Sequence, residues 1–127
     1  EIAVIGVGTA GSVALSAAAL DSRVTRVATI NSLASFISPV PYRGQRAGLM
    51  APGIVRDVGD IAHIASLVAP RPLFIAGGVQ GSGQVLDQSG LDAAYRWTNQ
   101  AYRQFRAGDG LKIREKELDV ADFLRSR

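Results

Sequence analysis

Apolar runs and helical periods alternate along this chain from its first residues. Ile2–Ile5 is continuously apolar, the pattern of a strand covered on both faces of a parallel sheet. Residues 10–20 are apolar nearly all round, which predicts a buried helix. Val24–Ile30 is rich in β-branched residues and bounded by Ser22 and Asn31, so a second strand is expected there. Residues 31–59 carry three prolines and four glycines with weak periodicity. They predict a long, largely irregular connection of the kind that caps or lines sites.

Asp60 is placed to cap a short helix over Ile61–Val68. Ala69-Pro70-Arg71-Pro72 stops that helix, and Leu73–Ala76 reads as a third strand ending at Gly77-Gly78. A Gly/Ser/Gln loop over 79–89 follows. From Leu91 to Phe105 the apolar positions 91, 94, 95, 98, 101, 102 and 105 have the spacing of an amphipathic helix. That spacing places Tyr95, Tyr102 and Phe105 in the core and leaves Trp97 off the stripe, facing a partner or a further part of the protein. Gly108 and Gly110 end the helix, and Leu111–Lys116, alternating and charged, predicts an edge strand. Asp119 then caps a last helix over Val120–Arg125. Strands alternating with helices imply an α/β fold: a parallel sheet with right-handed crossovers and flanking helices, a three-layer α/β/α sandwich. Ligands in such folds sit beyond the carboxyl ends of the strands, here residues 6–9, 31–35, 77–83 and 117–119.

Composition narrows the function classes. A length of 127 residues suits one domain, and 47% apolar with 20% charged residues argues against disorder. No apolar run approaches the roughly 18 residues a membrane-spanning helix needs. The net charge of +3 comes from basic residues scattered along the chain, which points away from nucleic acid as a partner. With no cysteine, disulfides and thiolate metal sites are excluded. No metal site is expected.

The most informative segment is Gly6-Val7-Gly8-Thr9-Ala10-Gly11, between the first strand and the first helix. As G-x-G-x-x-G it fits a dinucleotide fingerprint, with Gly6, Gly8 and Gly11 in register and a helix N-terminus available for a pyrophosphate. A ribose-binding carboxylate belongs at the end of the next strand, but Thr29 to Asn31 contain none, and Asp21 comes too early. Asn31 would be a weaker substitute. Equally, the segment fits the strand-turn-helix elbow G-x-S-x-G, with Gly8 where a nucleophilic serine would sit.

Ala17-Ala18-Ala19-Leu20-Asp21-Ser22-Arg23-Val24, Asp60-Ile61-Ala62 and Leu67-Val68-Ala69-Pro70-Arg71-Pro72-Leu73-Phe74-Ile75-Ala76-Gly77-Gly78 resemble segments of α/β-hydrolases. The likeness is to the acetyl xylan esterase, dienelactone hydrolase and prolyl oligopeptidase-like branches, and it covers almost the whole chain. It implies the C-terminal half of that fold. The N-terminal strands are then absent from this sequence, and the partner is the remaining N-terminal half of the same domain, with other domains of a larger protein beyond it. A chain that opens directly in a strand fits such a cut. The resemblance also implies a Ser, Asp/Glu, His order of catalytic residues, ester or peptide hydrolysis, and no cofactor.

Each catalytic position departs from that pattern. The serine position is Gly8, and the acid position after the third strand falls in Gly78-Val79-Gln80-Gly81, with Asp87 further along as a replacement if the loop is long. Lys116-Glu117-Leu118-Asp119 holds no histidine, and the sole histidine, His63, lies in an earlier helix, out of order. Thr9 follows the nucleophile position, where the resemblance gives its backbone N–H to an oxyanion hole. Ser12 reads as a residue of the first helical turn. Arg43, Arg46, Arg56 and Asp57 read as loop-fixing ion pairs or pocket lining. The expectation is a degenerate hydrolase domain, catalytically silent, with a structural or binding role. Two alternatives stay open: an active serine-type hydrolase with catalytic residues partly outside this chain, and a dinucleotide-binding domain.

Overall fold

The computed structural model describes residues 1–45 and 50–115, with residues 122 and 125 beyond them. Four strands, β1 (Ile2–Val7), β2 (Val24–Leu33), β3 (Leu73–Val79) and β4 (Leu111–Arg114), form one sheet in the order β1-β2-β3-β4. Every neighbouring pair is parallel. Helix α1 (Gly11–Leu20) links β1 to β2, and α2 (Ile54–Asp57) and α3 (Ile61–Ser66) link β2 to β3. Helices α4 (Gln88–Ala94) and α5 (Arg96–Gln104) link β3 to β4. The α/β class expected from the alternation is the observed one; the described helices all pack into one core on one face of the sheet, so the third layer of the expected sandwich is not seen among the described residues. Asp119, the strand end at Lys116, most of the last helix and Arg46 lie outside the described residues.

Strands that step in one direction through right-handed crossovers carry their helices on one face. Accordingly α1 packs on α3, and α3 on α5. Their apolar residues Leu15, Ala18, Ile61, Ala65 and Tyr102 join Val27, Leu73, Ile75 and Ile113 of the strands in one core. On the other face of the sheet Ala28, Ile30, Phe74 and Ala76 form a second buried cluster. By register Ile5 and Val7 of β1 border this cluster on one side, and Lys112 and Arg114 of β4 on the other.

Four expectations need correction. The first helix is not buried all round: Ala14, Leu15 and Ala18 are, but Val13 is 50% and Leu20 89% exposed. Strand β1 is not covered on both faces, for Ile2, Ile5 and Val7 are all exposed. Both follow from position, since β1 pairs only with β2 and α1 has a described neighbour on one side alone. Phe105 is 59% exposed rather than core, because α5 ends at Gln104 and Arg106 turns the chain away at φ 55°. The amphipathic stretch is also two helices, separated at Tyr95 (φ −98°, ψ 22°). Tyr95 N still donates to Leu91 O and Asn99 N to Tyr95 O, so the ladder keeps its i to i−4 register across the break.

Arg71 of the Ala-Pro-Arg-Pro segment fastens the amino ends of the strands. Its guanidinium donates to the carbonyls of Ala18 (2.8 Å), Val24 (2.7 Å), Asp21 (3.2 Å) and Val68 (3.2 Å). A cation there also meets the negative end of the α1 dipole. No helix among the described residues is long and apolar enough to cross a membrane.

Candidate functional site

In a parallel sheet crossed by helices, the helix N-termini and the carboxyl ends of the strands share one edge. That edge gathers Gly8 and Thr9, residues 31–36, Asp60, residues 77–80 and Asp87.

The first turn there is tight. β1 ends at Val7, a 3-10 turn covers Gly8–Ala10, and α1 begins at Gly11. A Cβ on Gly6 would lie 2.5 Å from the Ala10 carbonyl oxygen, and one on Gly11 2.0 Å from Ser32 Oγ. These two glycines let α1 and the strands approach. Gly8 differs: its φ is +57°, yet a Cβ there would meet nothing within 4 Å. Its side-chain direction is open space. Ser12 Oγ donates to Thr9 O at 3.5 Å, inside the first helical turn as expected. Buried Ser32, beyond the predicted end of β2, donates to Ile30 O (3.2 Å) and Gly6 O (3.4 Å) and so joins the turn to the second strand. No local pattern marks it, because the strand's extension to Leu33 is set by pairing with β3.

The dinucleotide expectation meets a different topology. A doubly wound site forms where strand order reverses beside the first strand. Here β4 adds beyond β3 instead of returning beside β1, so the four described strands have no such reversal. Asn31 is exposed at the end of β2 (φ 46°), with its side-chain oxygen over Gly77. Asp21 sits at the opposite end of the sheet, paired with Arg23 at 2.7 Å. The Arg23 guanidinium, then its backbone N–H, lowers the Asp21 carboxyl to about 2.

His63 stays in α3, one turn from Asp60, as part of a capping box. The Asp60 N–H donates to His63 Nδ1 at 3.0 Å, and Asp60 Oδ1 accepts from the N–H groups of Ile61 (2.8 Å) and Phe36 (2.6 Å). Ser35 Oγ donates to Asp60 Oδ2. Asp60 thus ties the β2–α3 connection to the helix it caps. The His63 ring stacks on Trp97, centroids 5.8 Å apart, and the Arg96 guanidinium lies 5.3 Å from the Trp97 ring centroid. Trp97, left for a partner by its place off the stripe, has two neighbours in its own chain.

Asp87 caps α4, its Oδ1 accepting from Gly90 N at 2.7 Å. Arg56 and Asp57 pair with one another at 2.7 Å in the exposed α2. Arg43 contributes its backbone, whose N–H donates to Gly81 O at 2.8 Å. Tyr42 donates its hydroxyl to Phe36 O. Burial, and then the nearby Asp60 carboxylate, raises the phenols of Tyr42 and Tyr95 above their ordinary value. Among the described residues no three His, Cys, Asp or Glu side chains converge as a metal site would require.

Neither a protein-family model nor a curated protein matches this sequence. Solved structures do share its fold. A carbohydrate esterase family 15 glucuronoyl esterase from Caldicellulosiruptor kristjansonii superposes with a TM-score of 0.67 at 20% identity, over 96% of this chain. A Bacteroides fragilis protein assigned as an acetyl xylan esterase superposes with a TM-score of 0.57 at 19% identity, over 95% of this chain. The chain spans 41% of the first structure's length and 31% of the second's. At such identities the likeness is one of fold.

Proposed function

We propose that this chain is a degenerate esterase-like domain of the α/β-hydrolase type, catalytically silent, with a structural or binding role. The observation that carries this reading is Gly8. It occupies a strand-to-helix turn at φ +57° with open space in its side-chain direction, the geometry of a nucleophile elbow, but supplies no nucleophile. Support comes from the other two requirements of serine-type hydrolysis. The sole histidine has its Nδ1 occupied by the Asp60 N–H and its ring stacked on Trp97. Asp87 is engaged as a helix cap. Without a general base, Thr9 and Ser12 remain ordinary hydroxyls.

The structural role we propose is completion of a larger sheet by the remaining N-terminal half of the same domain. The outward edge of β1, the exposed apolar outer face of α1 and the greater length of the two esterase structures support it.

Treatment with a fluorophosphonate probe tests the silence. The expected result is no covalent adduct by intact-protein mass spectrometry and no turnover of p-nitrophenyl acetate above buffer. Stoichiometric labelling of Thr9 or Ser12 would overturn the reading. Gly8→Ser sharpens it: the hydroxyl enters open space, and turnover should still be absent because no base accompanies it.

A further inference from the structure

The carboxyl edge also holds a cavity of about 270 Å³ that no catalytic expectation used. Ala34, Ile37, Pro39, Val79, Leu86 and Ala94 form its apolar wall. Its frame is built by backbone bonds: Ala34 N to Val79 O (3.0 Å), Leu86 N to Gly78 O (2.9 Å) and Arg43 N to Gly81 O (2.8 Å). The walls therefore exist before any ligand arrives, as small-molecule sites usually do.

Two polar side chains reach it, those of Ser35 and Gln80. Ser35 is already satisfied, its one hydroxyl proton donated to Asp60 and its oxygen accepting from Ile37 N at 3.0 Å. Gln80 is half-buried, and its side-chain amide has no hydrogen-bond partner among the described residues. None of the described lining residues is charged. An anion would lose water there without gaining a counter-charge from the described lining, an expensive exchange. An amide, in contrast, can both donate and accept.

From this we infer that the cavity between the β2–α2 connection, the end of β3 and α4 binds a small uncharged molecule: an apolar body carrying one amide, ester or hydroxyl group that pairs with Gln80. The inference rests on the proposed binding role and gives that role a ligand class. At about 270 Å³ the site falls just below the range for drug-sized ligands, so the occupant is small.

Benzamide and benzoate have nearly the same shape and differ in charge, which makes them the probes. Titration into the ¹⁵N-labelled full chain should give saturable amide shifts at Ala34, Ile37, Val79 and Leu86 with benzamide. Benzoate should bind at least about tenfold more weakly, reflecting its desolvation. Ala94→Leu, which fills the cavity, should abolish the benzamide shifts, and Gln80→Leu at the rim should weaken them several-fold. Absence of saturable shifts, equal binding of benzoate, or shifts indifferent to Gln80→Leu would overturn the inference, even if Ala94→Leu fails to fold. Fluorophosphonate labelling reports on catalytic silence alone, so the two proposals fail separately.

Discussion

Helices α1 and α5 lie in one layer on one sheet, yet they meet the outside differently. Helix α5 buries Thr98 and Tyr102 and turns Arg96, Gln100, Arg103 and Gln104 outward, with Trp97 the one large apolar side chain among them. Helix α1 buries Ala14, Leu15 and Ala18 but turns Val13, Ala17 and Leu20 outward. The strands beside them repeat the contrast. Edge strand β4 is short and exposes Lys112 and Arg114, charges that discourage pairing with another chain. β1 exposes Ile2, Ile5 and Val7 along an edge that no described strand pairs. Among the described residues one flank presents mainly charged and polar side chains beside Trp97, and the other mainly apolar ones. The difference underlies our proposal that further strands complete the β1 side, because a helix apolar all round belongs in a core.

Four experiments break or sharpen this contrast, in falling order of effect. Both flanks meet at Arg71: its carbonyl accepts from the Tyr102 hydroxyl of α5, and its guanidinium ties the end of α1 to the start of β2. Arg71→Ala should cost about 3 kcal/mol in urea unfolding, since charge-assisted bonds to several part-buried carbonyls are lost together. A loss below about 1 kcal/mol would mean α1 is held by apolar contact alone.

Next comes the turn that opens α1. Gly11→Ala should destabilise by about 2 kcal/mol, because a Cβ there collides with Ser32. Gly8→Ala should cost only about 1 kcal/mol, the penalty of a positive φ without a steric clash. Equal costs would remove the distinction between a packing glycine and an open one.

On the outer faces, Leu20→Lys combined with Val13→Lys should change the stability of the chain by no more than about 0.5 kcal/mol each. The chain by itself is expected to self-associate through the apolar outer face of α1; the pair should abolish this in sedimentation velocity, while Gln100→Lys on α5 leaves it unchanged. If both helices respond alike, the unfinished flank is an ordinary surface.

The smallest effect is a titration at the amino end of the sheet. The Asp21 carboxyl is lowered from 3.8 to about 2 by Arg23, so its folded form favours the carboxylate. Its contribution to stability is therefore complete above the unfolded value and fades as pH falls through about 2. Carboxyl ¹³C titration should find a midpoint near 2, moving toward 3.8 in Arg23→Ala. A midpoint already near 3.8 in the parent chain would show that the pair does not persist in solution.

Much of this architecture could be read in advance, and for local reasons. Hydrophobic period and the punctuation by Gly and Pro place the four strands, and Asp60 caps its helix because the bond is made within one turn. The boundaries that shifted are those decided by neighbours. β2 runs on to Leu33 and β3 to Val79 because the two strands pair there, and Ser32 faces Gly78 across that extension. Phe105 lies on the stripe by arithmetic and in solvent by position, since the helix stops before the period is completed.

The candidate site divides in the same way. That Gly8 lacks a nucleophile, and that one histidine stands outside the expected order, are matters of composition and chain order, which the sequence by itself determines. Three facts came only from the tertiary structure: the open space at Gly8, the capture of His63 between Asp60 and Trp97, and the uncharged cavity beside Gln80. Each is set by where residues distant in sequence lie, Trp97 against His63, Val79 against Ala34 and nothing against Gly8, and no local pattern encodes those positions. Whether an apolar helix face ends in a core or in water is a question of the same kind, decided by what packs against it.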